Sequence, residues 1–149
     1  MLKCHRLISA IEVFDFWDDI KNGMQSVQKK KLDCEQLLKV LCYLTSDTKK
    51  GFVAVVLNDG KVDGFGILEN ITPIFSKTAQ FLCRGFYHKA GNIASTVFLM
   101  EFFENWAREQ NVSSYSVTTE RESGAAIRCF KSEKYGFRRS HMEFVKQLK

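Results

Sequence analysis

Between Lys89 and Ala94 the sequence reads Lys-Ala-Gly-Asn-Ile-Ala, and these residue types suit the binding of an anion. Ala90, Gly91 and Ala94 let a ligand approach the backbone, Asn92 tolerates a left-handed conformation, and Lys89 adds positive charge. Placed before a helix, such a loop offers unsatisfied N–H groups and the positive end of the helix dipole to a phosphate. An ordinary strand-to-helix turn has much the same composition, so the loop alone does not specify a site. Other reactive residue types form no constellation. His5, His88 and His141 share no metal-ligand spacing, and of the three only His88 adjoins the loop. The cysteines, Cys4, Cys34, Cys42, Cys83 and Cys129, are odd in number and contain no CxxC pair. That count fits reduced, mostly buried thiols rather than a disulfide framework or a zinc centre.

A loop of this kind needs a strand before it and a helix after it, and the surrounding pattern supplies both. Thr78 to Tyr87 reads as a strand with a possible bulge at Gly85. Ala94 to Gln110 places Val97, Phe98, Met100, Phe102, Phe103, Trp106 and Ala107 on a broad apolar helical face. Upstream, Met1 to Ile8 is a first strand, Ser9 caps a helix from Ala10 to Asn22, and the polar run Met24 to Lys31 reads as a loop. Asp33 then caps a second helix bearing Leu37, Leu38, Leu41 and Leu44. Phe52 to Leu57 and Val62 to Ile71 flank Asn58-Asp59-Gly60-Lys61, a strong hairpin signal. Downstream, Ser114 to Thr119 is a strand, Ser123 or Gly124 opens a helix to about Lys134, and Phe137 to Leu148 is a last strand.

The chain of 149 residues has the size of one domain, 45% hydrophobic residues and 13 Phe, enough to bury a core of its own. No repeat, low-complexity tract or linker divides it, and residues 1–149 are expected to form a single domain. A formal charge of +5 favours an anionic partner without amounting to a nucleic-acid signature. Lys29-Lys30-Lys31, Lys49-Lys50 and Arg138-Arg139 are dispersed, lack interleaved aromatics and read as solvated faces. No stretch approaches the ~18 apolar residues of a membrane span, so a soluble, cytoplasmic protein is expected.

The loop, and the segments after it, resemble those of the GNAT acyl-CoA N-acyltransferases. Lys89-Ala90-Gly91-Asn92-Ile93-Ala94 is similar to that family's pyrophosphate-binding motif, Arg/Gln-x-x-Gly-x-Gly/Ala. Ala94 matches its last slot, Lys89 replaces the basic or amide residue that opens it, and Asn92 stands in for the central glycine. Glu104 to Asn111 looks like the end of the family's third helix. Ser123 to Phe130 is similar to its Asn-x-Ala-Ala-x-x-Leu-Tyr segment, and Tyr135-Gly136-Phe137 to its Leu-Gly-Phe. These segments cover the chain from Phe52 to Leu148, and it is their joint order, more than any single motif, that carries the resemblance.

The resemblance implies a mixed α/β fold: a central, mostly antiparallel sheet with helices on both faces and a splay between strands four and five. It implies transfer of an acetyl or related group from acetyl-CoA to a primary amine by direct attack in a ternary complex. The cofactor would lie along Leu82 and Arg84, on the loop residues Lys89, Ala90, Gly91, Asn92, Ile93, Ala94 and Ser95, and against Phe130. Phe130 takes the slot in which the family often carries a Tyr that protonates the departing thiolate, and a phenyl ring has no proton to give. Tyr135, Tyr87 or, in a shifted register, Ser132 are the alternative donors, while Glu69 and Glu120 are the carboxylates at strand ends that would face the splay. The acceptor would be an amine-bearing small molecule or protein, and a homodimer is an open assembly. Two rival functions stand beside this one: a non-catalytic module of the same fold binding CoA or a protein, and a basic protein associated with nucleic acid.

Overall fold

A computed structural model describes residues 1–118, 125–138 and 146–148. They fall into two compact units, Met1–Thr118 and Thr119–Lys149.

The first unit is built on a five-stranded sheet of β1 (Leu2–Leu7), β2 (Gly51–Asn58), β3 (Lys61–Asn70), β4 (Ala79–His88) and β5 (Val112–Val117), lying side by side in chain order. The first three pairings are antiparallel and β4–β5 is parallel, so the sheet is mostly antiparallel as expected. Asp59 and Gly60 both take positive φ, 49° and 82°, which matches the twist of a two-residue hairpin between β2 and β3. Every residue from Gly51 to Val56 is buried, because both faces of β2 are covered. Alternation along the strand divides the core into two layers.

Val53 and Val55 face one layer, where they meet Leu7, Phe65 and Ile67 of the sheet and Val13, Ile20, Met24, Leu41 and Leu44 of three helices. Those helices are α1 (Ala10–Asp15), α2 (Trp17–Val27) and α3 (Cys34–Thr45). Ser9 caps α1 and Asp33 caps α3, each accepting from an amide three residues on. Phe52, Ala54 and Val56 face the other layer, meeting Leu68, Phe81, Cys83 and a single helix, α4 (Ile93–Glu109), through Leu99, Phe103 and Ala107. The i, i+4, i+8 spacing of those three is one stripe of α4 laid across the sheet.

Two sequence expectations are corrected here. The helix expected over 10–22 is broken at Phe16 (φ −110°, ψ 9°), and its second half runs on to Val27 through a segment expected to be loop. Burial explains the extension: Ile20, Gly23, Met24 and Val27 recur at i, i+3, i+4 and i+7 and pack on the sheet, outweighing the polar Gln25 and Ser26 between them.

The second unit contains α5 (Ala125–Lys131) and a 3-10 turn over Glu133–Tyr135. A helix to about Lys134 was expected. The chain instead leaves helical geometry at Ser132 (φ −74°, ψ 131°), whose hydroxyl accepts from the Lys134 amide and starts the separate turn. Gly136 ends it with φ 74°. The expected opening at Ser123 or Gly124 lies outside the described residues, as do residues 139–145 of the expected last strand. Its described flanks, Phe137, Arg138 and 146–148, are not strand.

Candidate functional site

The anion-binding loop expected from composition is where β4 hands over to α4. Gly91 takes φ 78°, a conformation costly for any residue with a Cβ, and turns the chain into the helix. Lys89, Ala90, Gly91 and Ala94 are exposed, while Asn92 and Ile93 are half-buried. The Asn92 N–H donates to the Lys89 carbonyl at 2.9 Å and the Ser95 N–H to the Asn92 carbonyl at 3.2 Å, closing the turn. The N–H groups of Gly91, Ile93 and Ala94 donate to no backbone carbonyl among the described residues. Three amides at the positive end of a 17-residue helix, beside an exposed lysine and two exposed alanines, form a surface that can hold a phosphate.

Behind the loop is a residue that sequence reading passed over. Asp63 is 6% exposed, and its carbonyl accepts from the Lys89 N–H at 2.8 Å. Its carboxylate Oδ2 accepts from the side-chain amide of Asn92 and from the Ser95 hydroxyl at 2.5 Å. A charged residue within the otherwise apolar run Val62 to Leu68 was the available signal. The next turn of α4 is tied down by His88, whose Nδ1 lies 2.8 Å from the hydroxyl of the buried Thr96.

The β4–β5 ladder ends short of this loop. The register of β4 with β5 runs from Ala79↔Val112 to Cys83↔Val117, and β4 continues to His88 beyond it. At that point β4 carries a bulge, since Ile67↔Gly85 is followed by Leu68↔Cys83 and leaves Arg84 as the extra residue. The bulge expected at Gly85 falls one residue earlier, because Gly85 itself pairs with Ile67. Arg84 points its guanidinium at Glu69, with Nε 2.6 Å from the carboxylate. Glu69 lies two residues beyond Ile67 on the face covered by α1–α3, opposite Leu82 of β4. The structure thus brings Leu82, Arg84 and Glu69 together where the β4–β5 ladder ends and Lys89 to Ser95 at the α4 terminus, with Arg84 and Lys89 about 17 Å apart along β4 at ~3.4 Å per residue.

In the second unit the Phe130 ring packs edge-on to Phe137 at 5.1 Å, and the Lys134 ammonium lies 5.3 Å from the Tyr135 ring. Glu120 lies outside the described residues. Among the described residues no group of histidine, cysteine and acidic side chains could hold a metal ion, and no helix is long and apolar enough to cross a membrane.

No protein-family model and no curated protein matches the sequence. Solved structures do match it over almost its whole length. An aminoglycoside acetyltransferase from a soil metagenomic sample, in complex with sisomicin, is similar at 18% identity and a TM-score of 0.76, covering 99% of this chain and 97% of its own. The ribosomal-protein-alanine N-acetyltransferase of Brucella melitensis covers 100% of both chains at 13% identity and a TM-score of 0.71. A GNAT family acetyltransferase of Staphylococcus aureus covers 99% and 98% at 13% identity and a TM-score of 0.68.

Proposed function

We propose that this chain, which has the fold of the GNAT acetyltransferases, is an acyl-CoA-dependent N-acyltransferase acting on a primary amine. The observation that carries the reading is a helix terminus with three amides open to an anion, at the end of a strand, β4, that runs on beyond its pairing with β5. The residues present fit the cofactor: the amides of Gly91, Ile93 and Ala94 suit its pyrophosphate, Lys89 adds charge, and β4 from Lys89 back to Arg84 is a run for a pantetheine arm. Acetyl-CoA supplies the thioester whose C–S bond breaks as the acceptor nitrogen bonds to its carbonyl carbon.

Around that reaction the chain's own residues hold and move protons. Glu69 is the carboxylate assigned to take the proton that the amine sheds, with Arg84 fixing its orientation, and Glu120 is the alternative that the resemblance implies. Phe130, in the slot that the resemblance gives to a proton donor, has no proton to deliver to sulfur. A thiol with a pKa near ~8.5 leaves tolerably as the anion, so loss of the acid slows the reaction by roughly 10²–10⁴-fold at most and does not abolish it. Tyr135 is the hydroxyl assigned to any remaining proton delivery. Aminoglycosides and a ribosomal-protein alanine are the acceptors named for proteins of like fold, and aminoglycosides and alanine peptides belong in the acceptor panel.

Thermal denaturation with and without acetyl-CoA tests the binding half. Ligand at about 100 times its dissociation constant adds about 2.7 kcal/mol, a rise of roughly 5–10 °C for a domain of this size. Lys89→Glu should shrink that rise. CoA release over amines, polyamines and peptides tests the chemistry, and Phe130→Tyr should accelerate it. No stabilisation by acetyl-CoA would overturn the proposal. Stabilisation with no release, in both the native chain and Phe130→Tyr, is the result expected of a non-catalytic module of the same fold, the reading that the missing hydroxyl at Phe130 favours.

A further inference from the structure

Asp63 sits where the β2–β3 ladder slips: Val56 pairs with Gly64 and Leu57 with Val62, so Asp63 is the extra residue of a bulge. Bulges re-aim side chains, and this one delivers a carboxylate to the underside of the α4 terminus. A carboxylate this deeply buried is tolerated only with donors around it. Its donors are the side chains of Asn92 and Ser95, while the Asp63 backbone carbonyl accepts from the Lys89 N–H.

Asn92, one of the two donors, holds the N-cap position of α4. An asparagine there ordinarily turns its side-chain oxygen back onto an amide of the first turn. Here the side chain makes no cap bond and is spent on Asp63 instead. Since a carboxylate only accepts, it must present its NH₂, which fixes the direction of the whole side chain. Asn92 also stands where the resembled motif has glycine, between Gly91 and the Ile93 and Ala94 amides that donate to no backbone carbonyl among the described residues.

We propose that Asp63 is a positioning residue that draws the Asn92 side chain into the fold and so keeps the anion-binding face of the α4 terminus open. The inference rests on the cofactor reading above. The bulge and the asparagine are then one device: the side chain is kept, but it is held off the ligand.

The test is a double-mutant cycle on CoA affinity by calorimetry, with Asp63→Ala, Asn92→Gly and their combination, each checked for a cooperative thermal transition. Asp63→Ala should weaken CoA at least tenfold by releasing Asn92 into the mouth. Removing that side chain as well should recover affinity, so Asn92→Gly should improve binding at least tenfold more in the Asp63→Ala background than in the native one. A purely structural role for Asp63 gives no such rescue, and equal effects of Asn92→Gly in both backgrounds overturn the proposal. If Asp63→Ala does not fold, Asn92→Leu decides. It leaves the Asp63 carboxylate bonded to Ser95 and its carbonyl to Lys89 but cannot be drawn inward, and should weaken CoA at least tenfold while keeping a cooperative thermal transition. Native affinity in that variant overturns the proposal. A native chain that binds no CoA overturns the cofactor reading and this inference with it, whereas native binding without coupling overturns this inference alone.

Discussion

The thiols show how burial alone assigns chemistry to residues that composition treats alike. Cys34 is exposed, whereas burial pushes the Cys83 thiol up to about 12 and the Cys4 thiol up to about 11. Only the thiolate is nucleophilic, so at pH 8 a thiol reagent should consume Cys34 in the native chain and Cys83 only on unfolding, a difference that peptide mass spectrometry resolves. The same burial has a pH consequence. Below about pH 9 both folded and unfolded Cys83 hold the proton and its contribution to stability is complete. From about 9 to about 12 the unfolded chain has lost a proton that the native chain keeps, so stability falls as pH rises. Denaturation midpoints should therefore drop more steeply above pH 9 in the native chain than in Cys83→Ala, and parallel profiles would refute the assignment. Arg6 is a second such residue. Its guanidinium lies 4.6 Å from the Phe52 centroid and 4.4 Å from that of Trp106, and its Nη2 donates to the carbonyls of Thr48 and Gly51. Arg6→Ala should cost about 1–3 kcal/mol in urea denaturation, with Arg6→Lys recovering only part because it loses the flat fork that stacks and donates together.

Between elements, the closeness of α4 to the sheet is set by glycine. A Cβ on Gly64 would lie 2.7 Å from the Tyr87 carbonyl oxygen and 3.1 Å from the Ser95 Cβ, both held by the backbone. Gly64→Ala should therefore cost about 1–3 kcal/mol, and it should weaken acetyl-CoA binding too, since α4 carries the loop. At Gly66 the nearest atom is the Leu99 Cδ2, the end of a flexible side chain, and the penalty should be smaller. Phe103 is 1% exposed and packs edge-on against Phe52, Phe81 and Tyr115. Phe103→Ala should remove about 3–5 kcal/mol.

On the scale of the whole first unit, the two core layers share one sheet, and β2 lends alternate residues to each. Neither layer can be lost while β2 keeps its structure. Trp17 packs in one layer and Trp106 in the other, which gives each its own reporter. Fluorescence of Trp17→Phe and Trp106→Phe variants should therefore report transitions that coincide with the loss of secondary structure in the same variant, and two separated transitions would show that the layers unfold independently.

Patterns that depend on near neighbours were legible in the sequence: the hairpin at Asn58 to Lys61, the caps at Ser9 and Asp33, the helix after Ala94, and the small residues of the loop. Each follows from local backbone preference or from a periodicity that one element expresses by itself. The extension of α2 to Val27 was not legible, because only the sheet beneath it rewards Met24 and Val27 for being helical. Nor was the Glu69–Arg84 pair, which joins residues 15 apart only because a bulge on β4 turns Arg84 toward β3. Asp63 is the clearest case. In sequence it is one acid in an apolar strand, and its meaning comes from the slipped register and from Asn92 and Ser95, 29 and 32 residues away, which only the folding of α4 back across the sheet brings within reach of its carboxylate.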